Sequence, residues 1–116
     1  MAKAKKHDMG KLRFDLIPTY PLTELARVYT IGANKYDDNN WRKGSKWGRV
    51  YAALQRHANA FWNGERYDTE DGQEHLASVA WCAFALMEFE RTHPGLDDRV
   101  KVKPKRKANK RWRKGK

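Results

Sequence analysis

Cysteine is almost missing from this sequence: Cys82 is alone among 116 residues, so no disulfide can form within the chain and a reducing compartment is expected. Without a second cysteine there is no zinc-finger spacing either, and structural zinc is not expected. There is no secretory leader pattern at the N-terminus. The longest apolar run, LASVAWCAFALM at 76–87, is too short and too rich in Ala and Ser for a membrane span. A soluble, cytoplasmic protein is expected. No GxxxxGK[ST] occurs, which excludes a P-loop kinase, and no segment alternates apolar and polar residues as a strand would. Acidic residues are missing after Asp98.

That last absence locates the charge. The chain carries 25 Lys and Arg against 14 Asp and Glu, a net +11, yet eleven of the basic residues lie between Arg99 and Lys116. Fourteen basic residues therefore face fourteen acids over positions 1–98, and the body is neutral. The sequence divides into a flexible N-terminus at 1–10, a helical domain at 11–96 and a basic, disordered tail at 97–116. The tail offers Lys103, Lys105, Arg106, Lys107, Lys110, Arg111 and Arg113 to phosphates and Trp112 to a base, as a non-specific nucleic-acid-binding arm would. A solvated extension that aids solubility has the same composition.

What is present in the body is helical. KLRFDLIP at 11–18 reads as an extended arm whose Phe14, Leu16 and Ile17 can pack on the body, closed by Pro18. Pro21 fits a first helical position, and Leu22, Leu25, Ala26 and Tyr29 form a 3.6-residue stripe ending at Gly32. A polar loop, Asn34 to Lys46, leads to a second helix capped by Ser45, with Trp47, Val50, Leu54, His57 and Phe61 on one face and Asn63-Gly64 as its stop. Asp71 and Glu74 have the spacing of a capping box, opening a third helix from about Gly72 to Arg91. Its middle is apolar on nearly every side, as in a central helix or one buried between subunits. The fold class is all-α: a compact bundle of about three main helices, completed by oligomerisation.

The chemistry is concentrated between two histidines. His57 and His75 bracket Glu65, Asp68, Glu70, Asp71 and Glu74, and carboxylates so crowded repel one another unless a cation offsets them. Asp71 and Glu74 are better explained by capping than by catalysis. Glu65 and Asp68 are either a surface turn or two oxygen ligands for Mg²⁺, and the imidazoles either core groups or a ligand and a general base turned into the same groove. A second constellation is basic and aromatic: Lys35, Tyr36, Asn40, Trp41, Lys43, Lys46, Trp47 and Arg49. Such residues can neutralise a triphosphate, stack on a base and read its edge, or can equally be a loop pinned by two tryptophans. Lys11, Arg13 and Asp15 in the arm are open in the same way.

Three stretches, KLRFDLIP, LARVYTIGANKYDDNNWRKG at 25–44 and RHANAFWNGERYDTEDGQEHLASVAWCAFALME at 56–88, carry a resemblance. In this order, an RFDL arm, a GAxKY…NW loop, an RH…GE…D turn and an HL…AW helix, they resemble the phage-associated family called dATP/dGTP diphosphohydrolase, N-terminal. The resemblance implies kinship with the all-α, MazG-like enzymes that cleave nucleoside triphosphates to monophosphate and pyrophosphate with Mg²⁺ or Mn²⁺, typically as oligomers, and a location in the host cytoplasm. Their ExxE and ExxD ligand pairs are not intact here: His57 and Ala60 stand on the second helix, and Glu74 or His75 followed by Ala77 or Ser78 on the third. The expected set is instead Glu65, Asp68 and His75 for metal, with His57 orienting or basic. Lys11, Arg13, Lys35, Lys43 and Arg56 are expected to hold phosphates, and Tyr36, Asn40 and Trp41 a base. Purine deoxynucleotides as substrates follow only from the family. Two other readings stand beside this one, a small nucleic-acid-binding accessory protein and a catalytically inactive nucleotide-binding module.

Overall fold

The structure is a computed structural model that describes residues 4, 5, 7 and 9–101. It is all-α: α1 spans Thr19–Lys35, α2 Trp47–Trp62 and α3 His75–Thr92, with single 3-10 turns at Phe14–Leu16, Asn40–Lys43 and Pro94–Leu96. Among the described residues the nearest approach to a strand is one isolated antiparallel bridge, Tyr67 to Glu74. No described helix is long and apolar enough to cross a membrane.

The central helix is α3, which packs against both α2 and α1. Its over-apolar sequence supplies two contact faces. Cys82, Ala85 and Phe89 meet Trp47 and Val50 of α2 in the core, with Trp41, Leu54, Trp81 and Leu96 packed around them. On the α1 side, Tyr29, Trp41, Trp81 and Phe89 form an aromatic chain with ring centroids 5.9–6.2 Å apart. Edge-on and tilted rings at such distances add attraction beyond the area they bury. The remaining face of α3 is open, with Leu76, Phe84 and Met87 46, 52 and 64 % exposed.

Several local expectations are corrected. α1 begins at Thr19, with Pro18 in extended conformation at its cap, so Pro21 is its third residue. A proline is tolerated there because the first-turn amides have no partner inside the helix. Gly32 does not end α1: the helix runs on to Lys35, and Gly32 O accepts the amide of Tyr36 at 3.0 Å. The arm forms a 3-10 turn held by an Arg13–Asp15 ion pair at 2.8 Å, and Phe14 and Leu16 are exposed rather than packed on the body. The capping box is not formed, because α3 starts at His75 and Glu74 itself is the capping position. The Glu74 carboxylate instead accepts from Tyr20 and Arg66, while Asp71 Oδ1 accepts from the amide of Gln73 at 3.0 Å.

Ser45 does not cap α2 either. Lys46 occupies that position without a side-chain bond, and the free amide of Gly48 is taken by Asp98 Oδ1 at 2.7 Å. Residues 93–99, the last three of them assigned by sequence to the tail, lie over this end of the bundle. His93 O accepts the Trp47 indole N–H at 3.2 Å, Asp97 pairs with Arg99 at 2.9 Å, and the Arg99 guanidinium lies 4.8 Å from the Trp47 ring. The contact requires Gly44, which has φ +97°: a Cβ there would come within 2.7 Å of the His93 ring and 2.9 Å of Leu96.

Candidate functional site

α2 and α3 are joined by a connection, residues 63–74, that is tied to itself and to α3. Asn63 and Gly64 close α2 by bonds to Asn59 and Phe61. The Asp68 amide donates to Gln73 O and the Gly72 amide to Asp68 O, each at 2.8 Å, and the first amide of α3, that of His75, donates to Arg66 O at 2.9 Å. Asp68 Oδ1 accepts the Glu70 amide at 2.9 Å, which leaves Oδ2 free to face the helices. Each side chain of interest is thus aimed by backbone hydrogen bonds.

The result is a convergence of three donor atoms. His57, in the third turn of α2, and His75, the first residue of α3, bring their Nδ1 atoms to 2.9 Å from one another. Asp68 Oδ2 lies 3.8 Å from His57 Nδ1, and one ligand atom from each of His57, Asp68 and His75 falls within 4.8 Å of the other two. The 2.9 Å between the two Nδ1 atoms is the length of an N–H···N hydrogen bond between the rings, and it is also close to the ~3.0 Å between two ligands at right angles on one ion at metal–nitrogen distances of ~2.1 Å. His75 is 4 % exposed, and its second nitrogen, Nε2, meets Glu65 Oε1 at 2.6 Å. A carboxylate only accepts, so Nε2 carries the proton and the lone pair of His75 is on Nδ1, directed at His57. This carboxylate–imidazole arrangement is the one that orients histidine ligands in metal centres. Burial holds the His57 imidazole below the usual histidine range against the opposing pull of Asp68, which favours the neutral ring that a metal requires.

The four residues singled out by sequence, His57, Glu65, Asp68 and His75, are therefore brought together, with His57 in the converging set and Glu65 behind His75. The cluster borders a cleft of about 910 Å³ formed by the C-terminal half of α1, the loop after it and α3. His57, Asp71, Ser78 and Trp81 line one side, and Lys35, Tyr36, Asn40 and Trp41 the other. Tyr36 is 60 % exposed, with the Lys35 ammonium 5.4 Å from the centre of its ring, whereas Trp41 is partly buried in the aromatic chain. Lys11, Arg13, Lys43 and Arg56 do not line this cleft; Arg13 is paired with Asp15. Trp47 is a core residue. The tail residues Lys103, Lys105, Arg106, Lys107, Lys110, Arg111, Trp112 and Arg113 lie outside the described residues.

Sequence reasoning missed four contributors. Ser78, 8 % exposed, interrupts an apolar run, and that interruption was the available signal. Trp81 follows it by three residues on the same face. Tyr20 and Arg66, which hold Glu74 at the entry to α3, carry no signal of their own, because their contact spans 46 residues of chain.

Comparison with known proteins follows the same residues. Positions 1–99 match the family described as dATP/dGTP diphosphohydrolase, N-terminal. The chain belongs to this family. A relative from Salmonella phage PMBT28, described as a dATP/dGTP diphosphohydrolase, is 34 % identical over 94 residues, which are 81 % of this chain and 32 % of the relative. The chain thus spans about a third of the length of that relative. No solved structure matches. The matched span contains all four cluster residues and both sides of the cleft, so the family assignment and the geometry refer to the same part of the molecule.

Proposed function

We propose that this domain hydrolyses purine deoxynucleoside triphosphates, dATP and dGTP, to the monophosphate and pyrophosphate, with a divalent cation at the His57–Asp68–His75 cluster. The observation that carries the reading is the convergence of two imidazoles and a carboxylate at the edge of a cleft whose far wall carries Lys35, Tyr36, Asn40 and Trp41. Membership of the dATP/dGTP diphosphohydrolase N-terminal family and the phage relative of that description support the substrate class.

The residues divide the work as follows. Tyr36 offers an exposed ring for stacking on the base, and Asn40 offers an amide for its edge. Lys35 supplies a cation to the phosphates. Water attacks the α-phosphorus, the bond from that phosphorus to the bridging oxygen of the β-phosphate breaks, and pyrophosphate leaves. Asp71 lines the cleft and is close enough to His57 to act on its charge; we assign it the proton released by the attacking water. His57, Asp68 and His75 would hold the cation, with Glu65 accepting the proton of His75 Nε2. When bound, a divalent ion offsets the charge that accumulates on the phosphoryl oxygens.

The decisive experiment is product analysis. The full chain is incubated with each of the four dNTPs and Mg²⁺, Mn²⁺ or Co²⁺, and monophosphate, diphosphate, pyrophosphate and phosphate are separated. Monophosphate and pyrophosphate in equal amounts from dATP and dGTP are expected. Release of orthophosphate with diphosphate would place the attack at the γ-phosphorus, and intact dNTPs would reduce the domain to a binding module.

A further inference from the structure

We propose that the His57–Asp68–His75 cluster is a site for a first-row transition cation of the Fe²⁺-to-Zn²⁺ series and discriminates against Mg²⁺, and that Glu65 is a positioning residue for His75, not a ligand. The proposal rests on reading the cluster as a metal centre and does not depend on what the domain hydrolyses.

The donor set carries the argument. Two of the three converging atoms are imidazole nitrogens, His57 Nδ1 and His75 Nδ1, 2.9 Å apart. The third is the single carboxylate oxygen Asp68 Oδ2. Mg²⁺ is held through oxygen and dehydrates reluctantly; imidazole suits Fe, Ni, Cu and Zn. A Mg²⁺ site built from this connection would gather its carboxylates, and the structure does the opposite. The Glu74 carboxylate is turned away to Tyr20 and Arg66, Asp71 Oδ1 is engaged with the Gln73 amide, and Glu65 is spent on His75 Nε2 at 2.6 Å. The carboxylate oxygen that converges with the two imidazoles is Asp68 Oδ2, 3.8 Å from His57 Nδ1.

Glu65 cannot be a ligand alongside His75 Nδ1 while it accepts the proton of Nε2, because the two nitrogens of one imidazole point away from each other. Its contact fixes the proton on Nε2, keeps the Nδ1 lone pair on the side of His57 and sets the plane of a ring that is almost wholly buried. The same contact makes the imidazole a stronger donor.

The test is metal binding by the full chain without nucleotide. Co²⁺ is titrated while its visible absorption is recorded, and Zn²⁺ and Mg²⁺ are then used as competitors. We expect one Co²⁺ per chain, displaced by stoichiometric Zn²⁺ and unaffected by a large excess of Mg²⁺. Asp68→Asn and His57→Gln should abolish the saturable spectrum, whereas Glu65→Gln should keep the spectrum with affinity lowered roughly 10- to 100-fold, as for other outer-sphere partners of ligating histidines. Should the variants unfold, the unmodified chain still decides: on adding Zn²⁺, the imidazole NMR resonances of His57 and His75 should shift and those of His7 and His93 should not. Displacement of Co²⁺ by equimolar Mg²⁺, loss of the spectrum in Glu65→Gln with retention in His57→Gln, or shifts confined to His7 and His93 would overturn the proposal. Co²⁺ binding without dNTP hydrolysis would uphold it and remove the proposed function alone.

Discussion

Asp98 closes the N-terminus of α2 from 50 residues away, its Oδ1 accepting the Gly48 amide at 2.7 Å. The helix has no side-chain cap of its own, so this bond supplies what Ser45 does not. Loss of a capping side chain costs about 1 kcal/mol, and Asp98→Ala is expected to lower stability by that amount in urea unfolding. Gly48→Ala should also be unfavourable despite the better helix propensity of alanine, since the added methyl would meet both Asp98 carboxylate oxygens at 3.1 Å.

The acidic connection offers the most direct check on catalysis. Replacement of Glu65 and Asp68 together by alanine should reduce dNTP turnover by more than about a hundredfold, the scale of losing metal-borne charge stabilisation. Helical content by circular dichroism should be unchanged. His57→Gln should lower activity more than it lowers the melting temperature; a destabilised but fully active variant would make His57 a core residue only.

Tyr36 and Trp41 line the same cleft but sit differently, and substitutions should separate them. Tyr36→Ala removes an exposed ring and is expected to raise KM for dATP with stability unchanged. Trp41→Ala breaks the chain through Tyr29, Trp81 and Phe89 and should cost about 3 kcal/mol in unfolding free energy.

Burial against α2 pushes the Cys82 thiol up to about 11 from an ordinary 9.0. The folded chain therefore keeps a proton that the unfolded chain loses first as pH rises. The contribution from this group is complete below pH 9 and declines between 9 and about 11, so alkaline unfolding of the native chain should be steeper than that of Cys82→Ala. At neutral pH a thiol reagent should label Cys82 only as fast as the bundle opens, with rates rising in urea.

Removal of everything after Lys101 takes away nine of the eleven basic residues that follow Asp98 and leaves the Asp98 and Arg99 contacts in place. The shortened chain should fold and hydrolyse dNTPs as the full chain does. Any binding of DNA or RNA should be lost; in the full chain it should fall steeply with salt and show little sequence preference. Salt-resistant, sequence-specific binding by the shortened chain would move the nucleic-acid contacts into the body.

The three long helices were legible because α1 and α2 each follow one apolar stripe, Leu22-Leu25-Tyr29 and Trp47-Val50-Leu54, and α3 is one long run apolar on nearly every side. Their ends were less legible. Helix starts at Thr19 and His75 are set by Pro18 and by the bridge between Tyr67 and Glu74, and no propensity encodes the latter. The His57–His75 pair could be suspected from sequence, since a short connection between adjacent antiparallel helices returns the chain to its starting height. Which nitrogen faces which could not: that depends on Glu65 reaching Nε2 and on Asp68 spending one oxygen on the Glu70 amide. Nor could local pattern show that the segment after α3 supplies the cap of α2.

All three converging donors and the carboxylate behind them come from one helical hairpin, α2, the connection and α3, within a stretch of 19 residues from His57 to His75. The opposite wall of the cleft comes from α1 and its loop. Contacts of short sequence separation form early, since little chain entropy is lost in closing them. The donor half of the site is thus built from contacts of short sequence separation, while α1 closes the cleft from outside that hairpin and is tied to it where Tyr20 donates to the Glu74 carboxylate beside His75.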